Sequence, residues 1–316
     1  MTEFNFPSVN EGSSVYAFRL EPDGDPRGVV QLAHGMAERI SRYFDFAAFL
    51  ASHGFVVVGN DHLGHGKTKA NNEEYGYFGK FQNKNLLVED MHQLTVLTKE
   101  LYPDLPYFVL GHSMGSFLLR EYITLYGSEI TGAIIMGTGN PSGSMLGVGL
   151  GLSRLIGTIK GDTYRSPMIA NMVDGTYNRK IEDAKTPFDW ISSVGSVVDA
   201  YNKDESTGFR FTMNGFEHMF INIIYVVSAK AFERTPKDLP LLLISGQQDP
   251  VGGYGAQVEE VAQKFKDAGV SDVTLILYPD DRHEVLNEFD KAEVYEDILT
   301  WLDRYVRPEA SLLQSA

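Results

Sequence analysis

Gly111-His112-Ser113-Met114-Gly115 decides how the rest of the chain reads. It follows the apolar run Tyr107-Phe108-Val109-Leu110 and leads into Phe117-Leu118-Leu119-Arg120-Glu121-Tyr122, whose pattern is helical. A buried strand turning sharply into a helix, with serine at the apex and glycine two places to either side, puts that serine in a strained turn. The flanking positions lie against crowded backbone where a Cβ would clash, so both are glycine. The hydroxyl then stands at the carboxyl edge of a sheet, beside the amino end of a helix with its free N–H groups and partial positive charge.

The sequence around this turn alternates between short buried strands and helices. Val15–Leu20 alternates weakly, as an edge strand does. Gly28–Gly35 and Phe55–Gly59 are short apolar runs, and Ser41–Ser52 and Leu86–Leu101 have helical spacing. Thr131–Gly137 is a further buried strand. From Asn140 to Ala231 the alternation stops; glycine-rich turns, aromatic residues and helical stretches at Pro187–Ala200 and Phe216–Phe232 replace it. It resumes with a strand at Leu239–Gly246, a helix at Gly255–Asp267, a strand at Val273–Tyr278 and a helix at Lys291–Arg304. The expected fold is α/β: a mostly parallel, doubly wound sheet formed by residues 1–139 and 232–316, with a mainly helical cap inserted at 140–231. The tail after Pro308 reads as disordered.

The 316 residues carry a net charge of −15, with an isoelectric point near 4.9. That balance argues against nucleic acid and against electrostatic docking on anionic lipid. There is no cysteine, which excludes disulfides, thiolate metal sites and a cysteine nucleophile. The N-terminus lacks the basic and apolar regions of a signal peptide, and no apolar stretch is long enough to span a bilayer. A cytoplasmic location is the expectation. The glycine-rich run Met145–Ile159 reads as an apolar lip for transient lipid contact, through Leu146, Leu150 and Leu152.

A serine hydroxyl is a poor nucleophile without a base, and the base needs an orienting group. In a doubly wound sheet, ligands sit beyond the carboxyl ends of the strands. Asp249 follows the strand ending near Ile244, and His283 follows the strand ending at Tyr278. Asp280 and Asp281 are rivals for the acid, but they share the histidine's own loop. His53, His92 and His218 read as surface or cap residues on helices, and His112 as packing under the sheet, away from the hydroxyl. Donors for a developing oxyanion would be the backbone N–H groups of Met114 and of Met36, the latter in the turn His34-Gly35-Met36. Trp190, Phe209, Phe211, Met213 and Phe216 of the insertion are candidates for an acyl pocket. This chemistry needs no metal or cofactor.

Taken in order, these residues resemble the monoacylglycerol lipase and lysophospholipase-like branch of the serine α/β-hydrolases. The resemblance lies in His34-Gly35-Met36-Ala37-Glu38 with Arg42-Tyr43, in Asp61-His62-Leu63-Gly64-His65-Gly66, in the pentapeptide around Ser113, in Asp249-Pro250-Val251-Gly252 and in Arg282-His283-Glu284. The order Ser113, Asp249, His283 is also that of α/β-hydrolases. Phe188-Asp189-Trp190 and Tyr201-Asn202-Lys203-Asp204 look like the cap of bacterial members called lysophospholipases. The resemblance implies a catalytic triad of Ser113, Asp249 and His283, an oxyanion hole from Met36 and Met114, a cap over the site, and small ester or lipid substrates. The Asp61–Gly66 segment is implied to be structural. Thioesters, small-peptide amides and aryl esters are open to the same apparatus, and a hydrolase-fold binding protein is the non-enzymatic alternative.

Overall fold

The computed structural model describes residues 1–306 except 69–74, 81, 83 and 183. Eight strands form one sheet: β1 (Thr2–Pro7), β2 (Ser14–Leu20), β3 (Gly28–Ala33), β4 (Phe55–Asn60), β5 (Tyr107–His112), β6 (Gly132–Met136), β7 (Leu241–Gly246) and β8 (Val273–Tyr278). Their spatial order is β1-β2-β4-β3-β5-β6-β7-β8. The β1–β2 and β2–β4 pairs are antiparallel. All later pairs are parallel.

The helices are α1 (Phe44–Ser52), α2 (Leu86–Leu101), α3 (Met114–Tyr126), α4 (Gly143–Lys160), α5 (Pro167–Val173), α6 (Gly195–Lys203), α7 (Met213–Val226), α8 (Ala229–Arg234), α9 (Ala256–Asp267) and α10 (Lys291–Asp303). Central strands are buried on both faces because successive side chains go to opposite cores. In β7, Leu241 and Leu243 join the core under α2, α3 and α9, whereas Leu242 and Ile244 join the core under α1 and α10. The start of α2 is fixed by Asn85, whose side chain accepts the Leu87 N–H, and that of α7 by Thr212, whose hydroxyl accepts the Gly215 N–H.

The sequence pattern missed β1. Its alternation of Phe4 and Phe6 with polar neighbours was the available signal, and the strand closes an N-terminal antiparallel hairpin with β2. Two helix assignments in the insertion also need correction. Pro187–Ala200 is not one helix: Asp189 accepts hydrogen bonds from the Lys185 and Thr186 N–H groups and the Thr186 hydroxyl, holding a 3₁₀ turn at Asp189–Ile191. The chain then extends at Ser192 before α6. Phe216–Phe232 is broken between α7 and α8, where Ser228 is extended and its hydroxyl donates to the Tyr225 carbonyl.

The glycine-rich run is the helix α4, packed on α7. Gly149 permits that approach, since a Cβ there would lie 2.8 Å from the Phe220 ring. Leu146 is buried in this contact, and Leu150 and Leu152 are half-buried, so none of the three forms an exposed lip. The exposed apolar side chains of α4 are Met145, Val148, Leu155 and Ile159. Both ends of the insertion are tied to α3 by Arg120. This fully buried guanidinium donates to the Gly139 carbonyl at 2.8 Å and to the Val226 carbonyl at 2.8 Å. Burial pulls its pKa down to about 9. Among the described residues no helix is long and apolar enough to cross a membrane. The tail read as disordered lies outside the described residues.

Candidate active site

Five loops meet beyond the carboxyl ends of β3, β5, β6, β7 and β8. Ser113 stands between β5 and α3 with φ 53° and ψ −119°. A non-glycine residue held there carries strain of about 1–3 kcal/mol. The two glycines are required by contact: a Cβ on Gly111 would lie 2.3 Å from the Gly115 carbonyl oxygen, and one on Gly115 would lie 2.2 Å from the Ala33 carbonyl oxygen. The Ser113 N–H is bound to the Met136 carbonyl at 3.0 Å, which fixes the turn against β6.

Asp249 is fully buried in the loop after β7. One carboxylate oxygen accepts the Val251 N–H at 2.8 Å; the other lies 2.9 Å from His283 Nδ1 and 3.3 Å from the Ser245 hydroxyl. A carboxylate is an acceptor, so Nδ1 carries the proton and Nε2 of the neutral ring is left to accept one. Asp281, the rival acid, does not reach this histidine in any hydrogen bond of the described residues. It is buried beside Asp290, and desolvation, with that second carboxylate, drives its pKa up to about 8.

The turn after β3 has its amides distributed in a particular way. The Gly35 N–H donates to Glu38 Oε1 at 2.6 Å and the Ala37 N–H to His65 Nε2 at 3.2 Å. Among the described residues, the N–H of Met36 between them and the N–H of Met114 at the head of α3 have no acceptor. Met36, Ser113, Met114 and His283 line one cavity of about 510 Å³. Trp190, Phe209, Phe211 and Phe216 line the same cavity. Met213 does not: it sits in the first turn of α7, buried against α4 near Gly157, and belongs to the packing below.

A buried charge network, whose members were readable one by one but not as a unit, joins these loops. Arg42 donates to Glu38 at 2.7 Å and, as a fork, to both oxygens of Glu284 at 2.6 and 2.7 Å. Tyr43 donates to Glu38 at 2.8 Å and meets His112 Nδ1 at 2.7 Å. His112 does not simply pack beneath the sheet: its Nε2 lies 3.1 Å from the His283 carbonyl oxygen. Burial opposes charge on Glu38, yet the His112 hydrogen bond and the Arg42 charge hold its pKa well below the ordinary carboxylate range. Burial likewise opposes charge on His112, and the Glu38 hydrogen bond and charge outweigh it and raise its pKa. The turn carrying Met36 and the loop carrying His283 are thus tied together through Glu38, Arg42, His112 and Glu284.

Three further histidines, His34, His62 and His65, stack beneath the Met36 turn, with His34–His62 ring centroids 4.2 Å apart and His34–His65 centroids 5.1 Å apart. All are buried, and burial pushes each pKa down. His218 is not a surface residue either: on α7 its ring is buried 6.0 Å from that of Phe78, and burial lowers its pKa to about 4. Among the described residues no group of three or more His, Cys, Asp or Glu is placed to hold a metal ion.

Comparison with known proteins identifies the family. Residues 24–290 match the family described as serine aminopeptidase, S33. A monoacylglycerol lipase of Mycolicibacterium smegmatis is 30% identical over 304 residues, covering 95% of this chain and 96% of that protein. The crystal structure of a highly thermostable carboxyl esterase from Bacillus coagulans, in complex with glycerol, superposes with a TM-score of 0.90 at 32% identity, covering 97% of this chain and 99% of the other. A lipase solved in its open form gives a TM-score of 0.87 at 28% identity, again over 97% and 99%. With the family match spanning most of its length, the chain belongs to the serine aminopeptidase S33 family of α/β-hydrolases.

Proposed function

We propose that in this ester hydrolase Ser113 is the nucleophile, His283 its general base and Asp249 the acid that orients the base. The observation carrying the assignment is the 2.9 Å contact of His283 Nδ1 with the fully buried Asp249, in a histidine that lines one cavity with the strained Ser113. Asp249 holds the tautomer in which Nε2 is free to take the Ser113 proton. The serine oxygen attacks the ester carbonyl, and the N–H groups of Met36 and Met114 bind the oxyanion. Collapse expels the alcohol, which receives its proton from His283. Water, deprotonated in turn by His283, then releases the acid.

The substrates are short-to-medium acyl esters, with monoacylglycerol and lysophospholipid the leading classes. Phe117, Phe211, Phe216, Met219 and Ile223 offer an apolar wall for an acyl chain, and Glu38, Tyr201 and Glu284 supply polar groups elsewhere in the cavity. The similar lipase and esterase above support this choice. Residues 140–231 are the cap, and the exposed Met145, Val148, Leu155 and Ile159 on α4 form its lipid-facing row. A cytoplasmic location goes with this reading.

Ser113→Ala should lower turnover of p-nitrophenyl esters by on the order of 10³-fold or more and abolish labelling by a fluorophosphonate probe. Retained turnover and labelling would refute the assignment. A panel of acyl lengths run beside monoacylglycerol, lysophospholipid and aminoacyl amide then fixes the substrate class.

A further inference from the structure

The cap segment around Trp190 is fastened to the loop that carries His283 more tightly than a cover needs to be. Arg282 Nη1 donates to the carbonyls of Asp189 at 2.6 Å and Ser192 at 3.0 Å. The Glu284 N–H donates to the Ile191 carbonyl at 2.7 Å. The Ser193 N–H donates to both oxygens of Glu288 at 2.9 and 3.1 Å, and its hydroxyl also bonds Glu288. The residues immediately before and after His283 therefore both bind this segment. Within it, the Trp190 N–H is held by Asn178 Oδ1 at 2.9 Å, and the indole is wedged by Tyr177 at a centroid distance of 4.8 Å.

The result is a fixed aromatic ring 4.9 Å from the His283 ring, at an interplanar angle of 47°. Trp190 is 8% exposed, and its Nε1–H has no acceptor among the described residues. Its place is therefore not explained by its own hydrogen bonding; the ring itself is what faces the histidine.

We propose that Trp190 is a positioning residue for His283: its indole holds the imidazole in place and favours the imidazolium that forms each time Ser113 is deprotonated. A cation within about 6 Å of an indole centroid is attracted by the ring quadrupole. The proposal rests on His283 being the general base. The charged and titratable groups around His283 are Asp249 at Nδ1, His112 with its ring centroid 4.6 Å away, Tyr177 behind Trp190, and Arg282 and Glu284 on its own loop. Arg282 is directed to cap carbonyls and Glu284 to Arg42. Asp249 favours a positive His283. A proton on His112, whose pKa Glu38 raises against burial, disfavours it. Trp190 adds to the Asp249 side of that balance without adding charge.

The test compares Trp190→Phe and Trp190→Leu with the parent in kcat, KM and the pH profile of kcat/KM, using p-nitrophenyl butyrate. Thermal melts verify that each variant is folded. Leu removes the ring: kcat should fall about 3- to 10-fold, and the acidic limb of the profile should move to lower pH by about half to one unit. Phe keeps a ring face and should restore most of kcat and the position of the limb. A limb that stays put in a folded Leu variant, or a Phe variant no better than Leu, overturns the proposal. Should the Leu variant not fold, the Phe variant must still hold the parental limb. Ser113→Ala and His283→Asn are measured alongside. If either retains turnover, the triad itself has failed; if both lose it while the Trp190→Leu limb stays fixed, only the role of Trp190 has failed.

Discussion

Replacing Arg42 by Met tests whether the charge network is what locks the Met36 turn to the His283 loop. Four groups are involved: the carboxylates of Glu38 and Glu284, the Arg42 guanidinium, and His112, whose pKa burial lowers but the Glu38 hydrogen bond and charge raise on balance. Glu38 is 3% and Glu284 5% exposed, so neither carboxylate has water to fall back on. With Met at 42, Glu38 keeps the Gly35 N–H, the Tyr43 hydroxyl and His112. Glu284 keeps only the Asn287 amide among its side-chain partners and loses its one cation. The variant therefore strands one buried carboxylate, not two. Removing one partner of a buried ion pair costs about 3–5 kcal/mol. The Arg42 guanidinium also lies over the Tyr201 ring, 4.9 Å from its centroid, and methionine gives up that cation–π contact as well.

For a chain of 316 residues, about 2 °C per kcal/mol translates this into a melting point lower by roughly 6–10 °C. Urea titration followed by tryptophan fluorescence gives the free energy directly. The double variant Arg42→Met with Glu284→Gln removes the stranded charge and should recover more than half of the loss. Because the lock joins the Met36 turn to the His283 loop, the proposed roles of the two predict that kcat falls in the single variant even well below its melting point. A loss under about 1 kcal/mol, or a double variant no more stable than the single, would refute the idea that these charges are coupled in the interior.

Two pH effects follow from other buried groups. Asp281 has a folded pKa near 8 against a carboxylate's ordinary value near 4, driven by burial and by Asp290. The folded state thus holds a proton that the unfolded chain gives up, and stability declines as pH rises from about 4 to about 8. Asp281→Asn should leave the melting point nearly unchanged at or below about pH 4 and raise it at pH 9; no gain at pH 9 would contradict the paired burial. His62 has the opposite sign. Burial, and the neighbouring His34 and His65, depress its pKa, and both ring nitrogens lack partners among the described residues. Its contribution is whole above about pH 6.5 and is lost as pH falls below that value. His62→Asn should therefore lower the slope of unfolding free energy between pH 5 and 6 by about 1.4 kcal/mol per pH unit, and an unchanged slope would show that this ring protonates freely in the folded chain.

The way this site could be read in the sequence follows from the kind of constraint each part obeys. Ser113 was legible because its turn forbids a Cβ at two flanking positions, and that prohibition is written as glycine at 111 and 115. Asp249 and His283 were legible because a doubly wound sheet delivers its loops to one edge, so counting strands locates them. Met36 was legible only as a place, since an amide donor leaves its side chain free. The lock of Glu38, Arg42, His112 and Glu284 has no such signature. Its two halves are more than 240 residues apart in sequence, and an acid followed four places later by an arginine reads first as an ordinary surface pair.

The insertion was hardest to read for a related reason. Its helices do not alternate with strands, its breaks are made by side-chain bonds such as that of Ser228 to Tyr225, and its apolar residues serve two purposes with one alphabet. Met213 and Phe216 lie one turn apart on α7, yet Met213 is buried against α4 while Phe216 borders the cavity. Trp190 differs from both because its backbone neighbours bind the loop of His283. On the proposed assignment, that coupling ties the segment around Trp190 to the position of His283, so substitutions there should alter both the pH profile and the acyl-length preference.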